Sequence, residues 1–86
     1  LRKGKFLPDP KGNFEIVTEC NEIVVNHYSP DGGERLQTFR GTNAEKMSQE
    51  IAPFVSEIRN ALYIGRTLKE MELKLKGGCE IGNSMR

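Results

Sequence analysis

Hydrophobic and polar residues alternate along the first part of the chain, and this alternation predicts β-strands. Apolar or β-branched residues recur at every second position of residues 14–19, and Glu22–Tyr28 is rich in β-branched and aromatic residues. The intervening residues 20–21, Cys-Asn, are predicted to form a tight turn. Residues 29–33, Ser-Pro-Asp-Gly-Gly, give the strongest turn signal, because proline fixes φ and glycine tolerates positive φ. Residues 36–40 follow as a third strand, which predicts an antiparallel meander.

The apolar spacing becomes helical after residue 40. Thr42 is predicted to be the N-cap of a first helix, because Glu45 three residues later completes a capping box. Apolar residues at positions 44, 47 and 51 have helical spacing, and Pro53 is predicted to end this helix near residue 52.

A second, longer helix is predicted from Ser56 to about Lys76. Its apolar stripe consists of residues three or four apart, namely Ile58, Ala61, Leu62, Gly65, Leu68, Met71 or Glu72, and Leu75. Gly77 and Gly78 are predicted to end the helix. Glycine within a helix costs about 1 kcal/mol relative to alanine, so Gly65 predicts that another main chain approaches closely.

Together these elements predict an α+β fold, in which a three-stranded antiparallel β-meander is followed by two α-helices packed on one sheet face. We expect one domain over residues 13–83. Residues 1–12 are basic and contain turn-forming prolines and glycines, so they are predicted to be a lead-in or linker outside the core. Residues 84–86 are predicted to be a short tail.

The charge balance gives no electrostatic reason to expect nucleic acid or a membrane surface as a partner. The 86 residues include 13 Lys and Arg against 12 Asp and Glu, for a net charge of +1. The apolar runs are far shorter than the roughly 20 residues of a bilayer span, and the first residues do not resemble a secretion signal. The basic residues of the lead-in have no interleaved aromatic residues, which favours a linking segment over an RNA contact.

The two cysteines, Cys20 and Cys79, form no CxxC motif, and a small secreted scaffold normally carries more cysteines. Reduced thiols in a cytoplasmic protein are therefore expected, although the sequence leaves their pairing open. Together with His27 they supply only three scattered ligands, so we predict no metal site and no cofactor.

Candidate catalytic chemistry is sparse. His27, the only histidine, lies on a predicted strand beside Ile23 and Val25, where a structural role is favoured over that of a general base or ligand. Glu15 and the carboxylates that follow it occupy alternating positions of an amphipathic strand and its turn. This pattern is typical of a solvated face rather than of a catalytic carboxylate pair.

Two groups of residues are candidates for a ligand contact. The first precedes the first predicted helix, whose N-terminal N–H groups and dipole favour an anion, and comprises Arg40, Gly41, Thr42 and Asn43. The second is Tyr63 with Arg66, an aromatic ring and a planar cation on one side of the long helix. A packed tyrosine with an arginine extended along the surface is the alternative for this second group.

Four segments carry sequence motifs that resemble those of a known family, namely residues 12–14, 23–28, 39–45 and 61–72. They include Ile-Val-Val-Asn-His-Tyr, Gly-Thr-Asn-Ala-Glu and Ala-Leu-Tyr-Ile-Gly-Arg, and in this the chain resembles an uncharacterised microbial domain. That domain is typically appended to proteins resembling dihydropteroate synthase, which bind pterins, or thymidylate synthase, in organisms with folate-like one-carbon cofactors. It has no established activity.

The chain departs from this family's pattern in the long helix. Arg59 stands where the family has an aspartate, Asn60 where it has a histidine, and Thr67 where it has a glutamate. If those polar residues formed a reactive site, this chain has lost much of it, which favours an interaction role over an enzymatic one.

The resemblance therefore implies a non-catalytic accessory or oligomerisation module, forming the C-terminal part of a larger cytoplasmic protein of one-carbon or pterin metabolism. Its partner would be a second copy or a parent or partner protein, contacted through the long helix and any exposed sheet edge. The alternative is a small-molecule binding domain for a pterin, a folate or a nucleotide-like anion, held at residues 40–43 or at Tyr63 and Arg66.

Overall fold

The computed structural model describes residues 4–84, with side chains described up to residue 76. Within this part of the chain, four strands precede two α-helices that are separated by one 3₁₀ turn. The elements are β1 Lys5–Leu7, β2 Asn13–Glu19, β3 Glu22–Tyr28, β4 Arg35–Gly41, α1 Ala44–Ile51, the 3₁₀ turn Ala52–Phe54 and α2 Ile58–Ser84. The α+β class is confirmed. Residues 1–3 and the last two residues of the predicted tail lie outside the described residues.

The sheet has one strand more than predicted. All neighbouring strands are antiparallel in the order β1-β2-β3-β4, and β1 comes from the segment predicted to be a lead-in. Lys5 pairs with Ile16 and Leu7 with Phe14, and Leu7 packs against the hydrophobic core. Three residues are too few to display an alternating pattern, which is why the sequence did not reveal this strand.

Both predicted turns are confirmed. Cys20 and Asn21 have φ angles of 52° and 66°, as a two-residue type I′ hairpin turn requires. In the following turn Gly32 has a φ of 80°, and the Ser29 N–H donates to the Glu34 carbonyl at 2.8 Å.

The N-cap of α1 is Asn43, not Thr42. The Asn43 side-chain oxygen accepts a hydrogen bond from the Lys46 N–H at 3.0 Å, so the helix begins one residue later than the capping box predicted. Asparagine satisfies the orphan donors of a first turn as well as threonine does. The three predicted core positions of this helix, at residues 44, 47 and 51, are buried.

The predicted bounds and stripe of α2 need correction. The helix begins at Ile58 rather than Ser56 and continues through Gly77 and Gly78 to Ser84, so the two glycines do not end it. The second half of the predicted stripe is confirmed, because Leu68 is buried and Met71 and Leu75 pack against the core. The first half is wrong: Ile58 and Leu62 are 80% and 62% exposed, and Ile64 is buried instead. Leu62 and Ile64 can each be joined to Leu68 by helical spacing, so spacing alone could not tell which of them faces the sheet.

Gly65 does not mark the close main-chain approach that was predicted. A Cβ at this position would lie 3.4 Å from Ser48 Oγ, with no main-chain atom of another described element within 4 Å. The neighbour of Gly65 is therefore a side chain of α1.

Asp9 ties the chain between β1 and β2 to the start of α2. Its Oδ2 accepts from the backbone N–H groups of Lys11 at 3.0 Å and Ser56 at 2.9 Å, and its Oδ1 accepts from Asn60 Nδ2 at 2.6 Å. Burial raises the pKa of this carboxyl, but the hydrogen bonds from Asn60, Lys11, Ser56 and Glu57 together outweigh burial and leave the pKa lowered. Part of the predicted lead-in is thus bonded into the fold.

Both helices pack on one face of the sheet, the helix face, and the opposite face is the outer face. The hydrophobic core lies between the helix face and the helices and contains Phe14, Ile16, Ile23, Val25, Phe39, Ala44, Met47, Ile51, Ile64 and Leu68. Among the described residues, neither helix is long and apolar enough to cross a membrane.

Candidate functional site

The strand register places four side chains in one row across the outer face of the sheet. Phe6 pairs with Glu15, Glu15 with Asn26, and Asn26 with Thr38. Successive side chains of a strand point to opposite faces, so this row lies opposite the core residue Phe14. One residue from each strand therefore meets on the face that carries no helix.

The polar members of this row form a hydrogen-bonded network. Glu15 Oε1 accepts from Asn26 Nδ2 at 3.0 Å and from the Tyr28 hydroxyl at 3.1 Å. Asn26 is only 3% exposed, and its Oδ1 accepts from Thr38 Oγ1 at 2.8 Å. Because the Asn26 amide forms hydrogen bonds through both its nitrogen and its oxygen, it holds the Glu15 carboxylate in a defined orientation.

A cavity of about 180 Å³ adjoins this network and is lined by Phe6, Asn13, Glu15, Tyr28 and Gly32. It combines a carboxylate, an amide, a phenol and an aromatic ring, which can together bind a small planar polar molecule. We call it the outer-face cavity.

The turn that supplies Gly32 to the cavity is organised by Asp31. The Asp31 Oδ1 accepts from Ser29 Oγ at 2.5 Å and from the Gly33 N–H at 2.9 Å. The hydrogen bond from Ser29, followed by that from Gly33, lowers the pKa of this carboxyl, so the turn is held by an ionised side chain.

The first predicted ligand group comes together around a second cavity. Arg40, Gly41, Thr42 and Asn43 line a space of about 270 Å³ with residues of the first turns of α1. The Arg40 guanidinium, however, already forms ion pairs at 3.6 Å with Glu19 and with Glu22.

Glu72 of α2 is near the start of α1. Burial raises the pKa of the Glu72 carboxyl, but hydrogen bonding and charge from Lys76, the charge of Lys69 and the Ala44 N–H lower the pKa by more, so that it stays below its ordinary value. The Arg40 guanidinium and the Lys46 N–H, which would hold an anion here, are already bonded to the protein's own side chains.

The second predicted ligand group, Tyr63 and Arg66, lines a third cavity of about 230 Å³ with Lys5, Thr67 and Glu70. Within the described part of the chain, neither Lys5 nor Arg66 forms an ion pair. This cavity lies between α2 and the strand β1 that the sequence did not reveal.

His27 lies in neither predicted ligand group but on the helix face, where it is 4% exposed. Its ring stacks on Phe14 with 4.4 Å between centroids and 7° between planes, and its Nε2 lies 3.3 Å from the Lys11 carbonyl oxygen. Its Nδ1 has no hydrogen-bond partner among the described residues. The contact between His27 Nε2 and Lys11 holds the segment that precedes β2 against the sheet.

Sequence reasoning missed the outer-face cavity. Glu15 was interpreted as part of a solvated face, and Asn26, Tyr28 and Asn13 were not selected. The sequence did contain one signal. Asn26 is an amide that directly follows the apolar run starting at Ile23, in a strand whose inner positions are buried. Such a residue needs a polar partner when buried, but only the strand register identifies Glu15 as that partner.

The cysteines add no further site. Cys20 is an exposed free thiol, and the side chain of Cys79 lies outside the described residues. No group of three or more His, Cys, Asp or Glu residues in the described part could hold a metal ion.

Comparison with known proteins gives one family. A family model described as PterinBD-DUF4346 matches residues 8–81. Neither the search of curated proteins nor the search of solved structures gave a match. The matched range begins just after β1 and covers β2 to α1 completely, together with most of α2.

Proposed function

The chain belongs to the PterinBD-DUF4346 family, a domain of unknown function associated with pterin-binding domains, and from this premise we propose that it is a non-catalytic accessory module of a cytoplasmic protein of pterin or one-carbon metabolism. The module docks onto a pterin-binding domain through the exposed side of α2. The observation that carries this proposal is a line of exposed apolar side chains on that helix.

This line, the docking stripe, consists of Ile58, Leu62 and Leu73, which are 80%, 62% and 57% exposed. Residues four apart lie on the same side of a helix, and residues eleven apart are about three turns apart. All three therefore project from one side of α2, away from the core residues Ile64 and Leu68. Aligned apolar side chains of this size are a common mark of a protein interface.

Lys69 is four residues before Leu73 and so lies on the same side of α2, between Leu62 and Leu73. The charges within and beside the docking stripe indicate the kind of partner. Lys69 and Lys76 both pair with Glu72, at 3.7 and 3.3 Å, so two cations share one carboxylate. Arg66 adds a further cation beside the stripe. A second copy would bring the same cations against each other, whereas an apolar patch rimmed by carboxylates would complement them. This supports a different domain as the partner, rather than self-association.

The sheet edge at β4 is a poorer docking element than α2. The edge strand β4 pairs with β3 through a register shift, in which Arg35 and Gln37 oppose consecutive residues and Leu36 is the extra residue. An irregularity of this kind and charged residues such as Arg40 are devices that discourage edge-to-edge pairing.

The proposal is tested by titrating the 86-residue chain against a pterin-binding domain from a protein of this family, with calorimetry as the readout. Ile58→Lys and Leu62→Lys each place a charge in the docking stripe and are expected to weaken binding about tenfold or more. Leu36→Lys is the matched control, since it makes the same change at another exposed leucine and should bind like the parent chain.

Two outcomes would overturn the proposal. One is that no complex forms at high micromolar concentrations of both proteins. The other is that light scattering shows the chain alone to be a dimer which Leu62→Lys dissociates, because the docking stripe would then be occupied by a second copy. An effect of Leu36→Lys equal to that of Leu62→Lys would transfer the interface to the sheet edge and contradict the assignment to α2.

A further inference from the structure

We propose that the third cavity, between β1 and α2, is a second functional site, which binds a small amino acid that carries two carboxylates. We call it the edge cavity, and it is lined by Lys5, Tyr63, Arg66, Thr67 and Glu70. The site goes beyond the docking function and does not depend on it, because no residue of the docking stripe lines the cavity.

The fold brings polar groups from distant parts of the chain to the edge cavity. Lys5 of β1 lies directly opposite Ile16 of β2, and Ile16 is a core residue. Residues opposite each other on neighbouring strands share a face, so Lys5 lies on the helix face and meets α2 there. The other four lining residues belong to about two turns of that helix.

The charged groups of the edge cavity have no partner within the protein. Lys5, Arg66 and Glu70 form no ion pair in the part of the chain that the structure describes. Arg66 and Glu70 are four residues apart, a spacing at which opposite charges on a helix commonly pair. Their charges are instead left for a third group to bridge. The Arg40 guanidinium at the second cavity, in contrast, is already paired.

The hydroxyl of Thr67 is a further group that a ligand can use. Thr67 is only 4% exposed, and its side chain forms no hydrogen bond to another described residue. Among these residues, His27 Nδ1 is the one fully buried side-chain polar atom without a partner, so the Thr67 oxygen is not enclosed. Because Thr67 lines the edge cavity, its hydroxyl is reached from there and can bond to a ligand.

The pattern of charges identifies the class of ligand. The edge cavity has two cations, Lys5 and Arg66, and one carboxylate, Glu70. A carboxylate only accepts hydrogen bonds, so a ligand with anionic groups alone would set its own acceptors against Glu70. An amino acid with an acidic side chain has two carboxylates and one ammonium group, which complement the site in sign and number. The planar guanidinium of Arg66 can receive one carboxylate through two parallel N–H groups.

The size of the edge cavity limits the ligand to a small molecule. Pockets for drug-sized molecules measure about 300–1,000 Å³, whereas the edge cavity measures about 230 Å³. The half-buried ring of Tyr63 offers an apolar surface to the methylene groups of the ligand, and its hydroxyl offers a hydrogen bond. A free acidic amino acid therefore fits this site better than a larger cofactor.

The experiment titrates the 86-residue chain with L-glutamate at constant ionic strength and follows its backbone N–H signals by nuclear magnetic resonance. Arg66→Gln and Lys5→Gln should each raise the dissociation constant about three- to fivefold, the size expected for one partly exposed ion pair. Lys74→Gln is the matched control. Lys74 is an exposed cation of α2 that forms no ion pair with a described residue and does not line the cavity, so this variant should bind like the parent chain.

Glu70→Gln distinguishes an amino acid site from a site for any anion. It should weaken L-glutamate about three- to fivefold, because the ammonium group loses its partner. The same variant should strengthen the binding of glutarate, which has both carboxylates but no amino group and is repelled by Glu70. A merely structural role of Glu70 would move both ligands in the same direction.

Two comparisons on the parent chain test the ligand itself. Glutarate lacks the amino group and L-glutamine lacks the second carboxylate, and each should bind about three- to fivefold more weakly than L-glutamate. Equal binding of glutarate and L-glutamate would overturn the proposal.

The remaining results that would overturn the proposal are also definite. They are the absence of saturable binding up to about 50 mM L-glutamate, stronger binding of L-glutamate by Glu70→Gln, and an effect of Lys74→Gln equal to that of Arg66→Gln. Thermal unfolding of every variant identifies any that does not fold. Because all these measurements use the chain alone, they stand whether or not the docking function does.

Discussion

Gly12 lies between β1 and β2 with a φ of 132°, in a region that residues with a side chain rarely adopt. A Cβ at this position would also collide with the Tyr28 carbonyl oxygen and with His27 Nε2. The Gly12 N–H donates to the Asp9 carbonyl at 2.9 Å. Position 12 therefore requires glycine for two reasons: its backbone conformation, and the lack of space for a side chain.

Gly12→Ala is therefore expected to lower the free energy of unfolding by about 2 kcal/mol or more, because the strained φ and the overlap add up. Gly33→Ala is the matched control: Gly33 has no positive φ, and a Cβ there meets only Asp31 side-chain atoms at 3.4 Å or more. That variant should differ from the parent by less than about 0.5 kcal/mol. Urea unfolding measures both, and equal stability of the two variants would contradict this account of Gly12.

Single residues show where sequence reasoning stops. The pattern of the second predicted strand correctly placed His27 on the same face as Ile23 and Val25. The alternating pattern around Phe14 placed Glu15 on the other face, but it could not identify Asn26 and Tyr28 as its partners. Those partners follow from strand register, and register depends on the turn geometry and on packing across the whole sheet.

At the level of elements, the start of α2 depends on a residue far away in the sequence. Asp9 accepts hydrogen bonds from Ser56 and Asn60, which lie on either side of the first residue of the helix. A negative charge at this end also interacts favourably with the helix dipole. The α2 N-terminus is thus capped by the chain between β1 and β2.

Because the pKa of Asp9 is lowered from its ordinary value of 3.8, this contact makes stability depend on pH. The stabilisation is fully present above the unfolded-state pKa and is lost as the pH falls through the lower pKa of the folded state. Asp9→Asn should cost about 1–3 kcal/mol at pH 7, and its difference from the parent chain should shrink below pH 3.8.

Urea unfolding between pH 7 and pH 2 measures this dependence. Glu50→Gln, at an exposed position of α1, is the matched control and should follow the parent chain closely. A difference between Asp9→Asn and the parent that grows as the pH falls would have the wrong sign for a carboxyl with a lowered pKa.

The elements also show what the sequence could predict. The hairpin at Cys20 and Asn21 and the helix with buried Met47 were predicted because local patterns determine them. The buried side of α2 was predicted correctly at Leu68 and wrongly in the first turns of the helix, where Ile64 is buried and Leu62 is exposed. Which stripe faces the sheet depends on tertiary packing, including the Asp9 contact, and no local pattern contains that information.

For the whole molecule, the docking stripe and the outer-face cavity lie on different layers of the fold. The docking stripe is on the outside of α2, which covers the helix face of the sheet, whereas the outer-face cavity opens on the opposite face. The core of the domain, including Phe14 and Ile64, separates them. A change at one of these surfaces could reach the other only through this closely packed core.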